Sequence, residues 1–359
     1  MAMTLLEKIL AAHSGKKNVK PGEIVDVGID VRAARDFGGA NVVKHLIDAG
    51  LTVHDPGKTF FNFDCNPTGS DQKYAVNQHL CRIFARGNGI KVFDIDAGIG
   101  THILIEKGLV YPGSTAVSTD SHANVLGAIG AFGQGMGDMD IAAAWRSGKV
   151  WFKVPASVKM NLEGSLPVDV EAKDLVLNLL NRFGANTLLG YSIEMSGSSL
   201  ELLNLDDRIT ISSMATEMGA IIILFPPSFE ILENCKIFSG KSLKPVYADE
   251  GASYEKVFDI DLSSFRPMVS RPGEPHDAVD LKKVAGIKID SAFIGSCTNG
   301  RMQDMRKAAE ILKNRKVAPG VVLKIVPATD AIWKQCLSEG LMEIFKNAGA
   351  LVSNAGCAG

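Results

Sequence analysis

Short apolar runs closed by Gly, Asp or Pro alternate along this chain with longer stretches in which apolar residues recur every three or four positions. The short runs predict strands over residues 24–27, 59–63, 90–93 and 115–118, because brief β-branched and aromatic stretches bounded by turn residues suit a pleated, half-buried surface. Helical spacing predicts helices over 41–48, 71–86 and 141–147. Further on, 159–162 reads as a strand and 172–180 and 207–218 as helices. The final third predicts strand 291–294, helix 302–313, strand 321–326, helix 331–344 and strand 350–353. Strands separated by helices need crossover connections, which favour parallel sheets with helices on their faces. The expected architecture is α/β: three domains with mixed, largely parallel sheets, over 1–155, 156–272 and 273–359. The Pro- and Gly-rich segment 270–276 reads as a linker between the last two. No helix follows the strand at 350–353, so the third domain is expected to be truncated.

Composition narrows the class. At 359 residues the chain exceeds one ordinary core, and its 46% apolar and 22% charged content is that of a globular protein. With 38 basic and 40 acidic residues and no basic cluster, nucleic acid is disfavoured as a primary partner. The longest apolar run, 220–226, is far too short for a membrane helix. The first residues lack the charged-then-apolar order of a secretory signal, and a cytoplasmic location is expected. The six cysteines are widely scattered, which argues against a disulfide scaffold and for buried apolar residues, ligands or reactive groups.

Several motifs sit at predicted strand ends, where α/β sheets place their ligands. Gly295-Ser296-Cys297-Thr298-Asn299-Gly300-Arg301 follows an apolar strand. A cysteine there meets unpaired N–H groups that favour a thiolate, although a small buried turn residue fits equally well. Ser353-Asn354-Ala355-Gly356-Cys357-Ala358-Gly359 repeats the pattern, and two such cysteines of one sheet could converge. A third thiol would have to come from Cys336, from Cys65 or from beyond Gly359. Thr119-Asp120-Ser121-His122 offers a carboxylate that can tune an imidazole for proton transfer, with helix capping as the plainer role. His102 ends a glycine-bearing loop and on its own reads as solvated. The glycines between Gly127 and Gly137 match neither a dinucleotide nor a P-loop pattern and suggest close backbone packing. Asp64 is either a catalytic carboxylate or a turn former, and Glu194 either joins a site or pairs with a surface cation.

Together these motifs resemble the aconitase superfamily, most of all its 3-isopropylmalate dehydratase and homoaconitase large subunits. The resemblance runs over essentially the whole chain. It rests on Thr4-Leu-Leu-Glu-Lys-Ile-Leu10, Ser118-Thr-Asp-Ser-His122, Asp206-Asp-Arg-Ile-Thr-Ile-Ser-Ser-Met-Ala-Thr-Glu-Met-Gly219 and Phe293-Ile-Gly-Ser-Cys-Thr-Asn-Gly-Arg301, in that order. It implies a hydro-lyase acting on a hydroxy di- or tricarboxylic acid, and domains like the first three of aconitase. It further implies a [4Fe–4S] cluster held by Cys297, Cys357 and a third cysteine just beyond residue 359. Asp64, His102, Asp120, His122 and Glu194 match the family's catalytic positions. Arg35, Ser121 and Asn299 match positions that face substrate. A small partner subunit, the swivelling domain, is implied as well, so the chain alone is expected to be inactive. Two departures stand out: Cys65 occupies a family histidine position beside Asp64, and Arg35 stands where the family has Gln or His. They widen the candidate substrates from 3-isopropylmalate to homocitrate, citramalate or dimethylmalate. A cluster-dependent RNA-binding regulator is the non-enzymatic alternative, and a cysteine nucleophile at Cys65 or Cys297 a third.

Overall fold

The computed structural model describes residues 2–69, 71–240 and 243–357. They form two compact units, one built from Met1–Arg32, Ile105–Met136 and Ser147–Ala285, the other from Ala33–Leu104, Gly137–Arg146 and Gly286–Gly359.

The first unit centres on a four-stranded sheet in the order Ile222–Leu224, Ser192–Ser196, Ser157–Glu163, Lys256–Asp261, every neighbouring pair parallel. Parallel pairs need crossovers, and the helices Ala172–Phe183 and Leu205–Ser213 supply two of them. Val158, Met160 and Leu162 alternate onto one face of their strand and pack against Leu175, Val176, Leu179 and Leu180. Each such fully buried aliphatic chain contributes roughly 1.5–3 kcal/mol. The helix Leu5–Ser14 opens the unit with a capping box in which Thr4 and Glu7 exchange side-chain and backbone hydrogen bonds. An antiparallel pair, Ile24–Gly28 with Lys149–Lys153, and a parallel pair, Thr115–Ser118 with Phe132–Gly135, complete the framework.

The glycine-rich run is a packing device. Its 3-10 turn, Ala123–Ile129, lies so close to the strand Ile222–Leu224 that a Cβ on Gly127 would sit 2.0 Å from the Ile223 carbonyl oxygen. The Gly127 carbonyl in turn accepts the Phe225 amide at 2.9 Å.

In the second unit, Ser291–Gly295, Val322–Val326 and Leu351–Val352 form a parallel three-stranded sheet in sequence order. Met302–Leu312, Asp330–Ser338 and Leu341–Ala348 pack on it through Met305, Ala309, Ile332, Cys336 and Phe345. Elsewhere in this unit Thr59–Asn62 pairs in parallel with Lys91–Phe93 and has the end of Val31–Arg35 on its other side.

The structure corrects three sequence expectations. Residues 270–276 are not a linker: they are the turn of an antiparallel hairpin, Met268–Ser270 with Ala278–Asp280, inside the first unit. Arg271 and Asp277 close that turn through a backbone hydrogen bond of 3.0 Å and a two-pronged side-chain pair, so the Pro and Gly residues turn the chain rather than release it. The helix expected over 331–344 is two, broken at Gly340, whose φ of 75° is left-handed. The helix expected over 207–218 begins earlier, at Leu205 behind the Asn204 cap, and ends at Ser213.

Gly127→Ala forces its methyl into a backbone carbonyl and should destabilise by roughly 2–4 kcal/mol. Gly87→Ala, on an exposed helix position with nothing within 4 Å, should stabilise by up to about 1 kcal/mol. Denaturant midpoints of the two variants check this; equal shifts would contradict it.

Candidate functional site

The site residues of the second unit start at the end of the strand Ser291–Gly295. Gly295 has φ of 138°, and a Cβ there would lie 2.0 Å from the Val326 carbonyl oxygen, so only glycine lets the chain turn against the neighbouring strand. Ser296 follows with φ of 69°, a left-handed conformation that costs a non-glycine residue on the order of 1 kcal/mol. This strained turn presents Cys297 in the short helix Ser296–Asn299. Cys357 arrives from the other side of the sheet, after Leu351–Val352, on a loop whose Gly356 amide donates to the Pro327 carbonyl at 3.1 Å. Both sulfurs flank one hydroxyl: Ser296 Oγ is 4.0 Å from Cys297 Sγ and 3.4 Å from Cys357 Sγ. The cysteines are unbridged. The last two residues of the Cys357 motif lie outside the described residues.

Cys336 is not part of this pair. It is buried in the helix Asp330–Ser338 with its sulfur 3.7 Å from Met302 Sδ, and burial pushes its thiol up to about 11.

Beside Cys297 stands His102, in the helix Gly100–Glu106. Its Nε2 lies 3.0 Å from the Cys297 carbonyl oxygen. A carbonyl can only accept, so Nε2 carries the proton and the tautomer is set. The ring is fully buried, not solvated as its loop context suggested.

Asp64, also fully buried, accepts the Arg35 Nε at 2.6 Å on Oδ1 and the Gly100 amide at 2.8 Å on Oδ2. Asp36 accepts the Cys65 amide at 3.1 Å and Gln78 Nε2 at 2.9 Å. The ligand atoms of Asp36, Asp64 and Cys65 lie within 4.8 Å of one another. All four carboxylate oxygens already accept N–H groups, so the set is a hydrogen-bonded knot rather than an ion cage. Burial, with Asp64 next in weight, pushes the Cys65 thiol far above its ordinary range. Cys65 is therefore a neutral S–H, unsuited to act as a thiolate nucleophile. Asn299, expected to face substrate, donates to Asp304 Oδ1 at 2.8 Å and so supports the start of the helix Met302–Leu312. A cavity of about 360 Å³ opens beside Cys65, with Thr68, Phe293, Lys324, Val326 and Ser353 in its wall.

The remaining expected residues belong to the first unit. Asp120, at the end of Thr115–Ser118, accepts the backbone amide of His122 at 3.1 Å. The imidazole is held elsewhere: Nδ1 is 3.2 Å from Ser121 Oγ, and Nε2 is 3.2 Å from Glu217 Oε1. Sequence reasoning missed Glu217, although it lies inside the quoted segment 206–219. Its other oxygen, Oε2, is buried without a hydrogen-bond partner. Glu194 lies mid-strand with its carboxylate accepting the Leu5 amide at 3.0 Å and the Tyr254 hydroxyl at 2.9 Å. It holds the first turn of the helix Leu5–Ser14 in place. Burial raises its carboxyl while those two donors oppose the rise.

The model of the aconitase family (aconitate hydratase) matches residues 7–286 and 281–359. The chain belongs to the aconitase family. Among its relatives, a probable 3-isopropylmalate dehydratase large subunit of Methanothermobacter thermautotrophicus is 39% identical, the match covering 99% of this chain and 86% of the relative. A 3-isopropylmalate dehydratase large subunit of Halothermothrix orenii is 40% identical with the same two coverages. Among solved structures, aconitase X of Thermococcus kodakaraensis superposes with a TM-score of 0.53 at 16% identity, over 98% of this chain and 84% of that one. That likeness speaks for the α/β fold with its largely parallel sheets. No helix among the described residues is long and apolar enough to cross a membrane.

Phenylarsine oxide, which needs two thiols within reach of one arsenic, should capture Cys297 and Cys357 as a single adduct. Mass spectrometry should find it lost in Cys297→Ser and Cys357→Ser and kept in Cys336→Ser. An adduct that survives both of the first two substitutions would show that the sulfurs do not share one place.

Proposed function

We propose that this chain is the large subunit of an iron–sulfur hydro-lyase that removes and restores water on a hydroxy di- or tricarboxylic acid, with 3-isopropylmalate as the leading substrate. The observation that carries the reading is the approach of Cys297 and Cys357 to one hydroxyl, after the two outer strands of the three-stranded sheet, with His102 bonded to the Cys297 carbonyl. The donor set fits a [4Fe–4S] cluster: two unbridged thiols beyond the C-terminal ends of a parallel sheet, next to a buried imidazole. Cys297 and Cys357 would supply two of its thiolates. When bound, such a cluster supplies a Lewis-acidic iron that weakens the bond to a leaving hydroxyl.

The chain's own residues orient and move protons. His102 has its proton fixed on Nε2, so its Nδ1 is the nitrogen that changes protonation. Glu217 and Ser121 hold the His122 ring at both nitrogens, while Asp120 fixes its backbone. Held in this way, His122 is placed to pass a proton. Ser121, on the same turn, can present a hydroxyl to a carboxylate. Glu194 acts through the N-terminal helix it holds. The names of the relatives as large subunits support a small partner that completes the enzyme.

The chain, reconstituted anaerobically and mixed with a small subunit, should dehydrate 3-isopropylmalate to an enoate followed by ultraviolet absorbance. Cys297→Ser should lose both iron and activity. Glu217→Gln should keep the iron and lose roughly 10- to 100-fold in kcat. No turnover of 3-isopropylmalate, citramalate or homocitrate by an iron-loaded complex would refute the reading.

A further inference from the structure

Asp64 is tied to three separate pieces of the second unit. Its carboxylate accepts Arg35 Nε at 2.6 Å and the Gly100 amide at 2.8 Å, and its backbone carbonyl accepts the Cys357 amide at 2.9 Å. Gly100 opens the helix that carries His102. The Cys357 loop closes on Asp64 because Gly356 has no side chain: a Cβ there would lie 2.9 Å from that same carbonyl oxygen and 2.8 Å from Pro67 Cβ. One residue therefore sets both the position of a thiol and the start of the imidazole helix.

A carboxylate with 0% exposure stays ionised only where donors and an opposite charge replace water. Cys65, its chain neighbour, is a neutral thiol and brings no charge. Arg35, 13% exposed at the end of its strand, brings it. We infer that Arg35 and Asp64 are positioning residues, an ion pair that holds the Cys357 thiol in ligating position beside Cys297. This deepens the cluster reading and rests on it. Arg35 accordingly serves the carboxylate of its own chain.

Cadmium alone, titrated anaerobically into the full chain and followed by its thiolate charge-transfer absorbance, tests the pair without turnover. The wild type should show a band that Cys297→Ser and Cys357→Ser abolish and Cys65→Ser leaves. Arg35→Met should weaken cadmium binding about 10- to 100-fold, as loss of a residue that orients a ligand does. Arg35→Lys, which keeps the charge, should recover most of it. Circular dichroism checks the fold, and Arg35→Gln, which keeps a donor without the charge, reads the same loss should the methionine variant fail to fold. Neutral variants that bind cadmium like the wild type would overturn the inference alone. A wild-type band that neither Cys297→Ser nor Cys357→Ser removes would overturn the ligand reading and the inference with it.

Discussion

An ionised carboxylate cut off from water must have every lone pair answered, and in the second unit that demand falls on Asp64. Its partners, Arg35 and the Gly100 amide, come from places far apart in sequence, and its own carbonyl takes the Cys357 amide. Satisfying the carboxylate gathers the end of a strand and the start of a helix, and the backbone carbonyl of the same residue takes a loop after the last strand. The neutrality of Cys65 follows from the same burial and the same neighbouring charge. The first unit meets the converse demand at Arg208, a buried cation whose guanidinium donates to the Leu200, Leu203 and Pro226 carbonyls, each at 3.0 Å. In both units buried charge specifies which loops meet, whereas the apolar cores specify only which faces do.

What was legible in the sequence is what short-range pattern governs. The strands near Thr59, Thr115, Ser291 and Val322 and the helices near Gln72, Ala172 and Met302 stand close to where their periodicity puts them. The break at Gly340 and the hairpin around Arg271 were misread because glycine and proline mark a change of direction without saying whether the chain continues as helix, turn or linker. Val31–Arg35 and Phe132–Gly135 escaped notice because arginine and alanine in one and glycine in the other hide a strand.

The site divides along the same line. Cys297 and Cys357 could be singled out because each follows an apolar strand and a glycine, a local signal. The burial of His102 could not, since its ring meets the Cys297 carbonyl, 195 residues away in sequence. Glu217 was hidden for the same reason: its relation to His122 exists only after the chain returns across the unit. Arg35 and Cys65 were visible as departures from a family pattern, but their connection through Asp64 needed geometry.

The account stands on the claim that Cys297 and Cys357 bind an iron–sulfur cluster with one iron left open to a hydroxyacid. Mössbauer spectroscopy of the chain reconstituted with 57Fe tests this most directly. The account predicts that one iron changes its quadrupole splitting when the hydroxyacid is added while the others keep theirs. Iron that answers identically with and without the acid, or protein that takes up no iron, would contradict it.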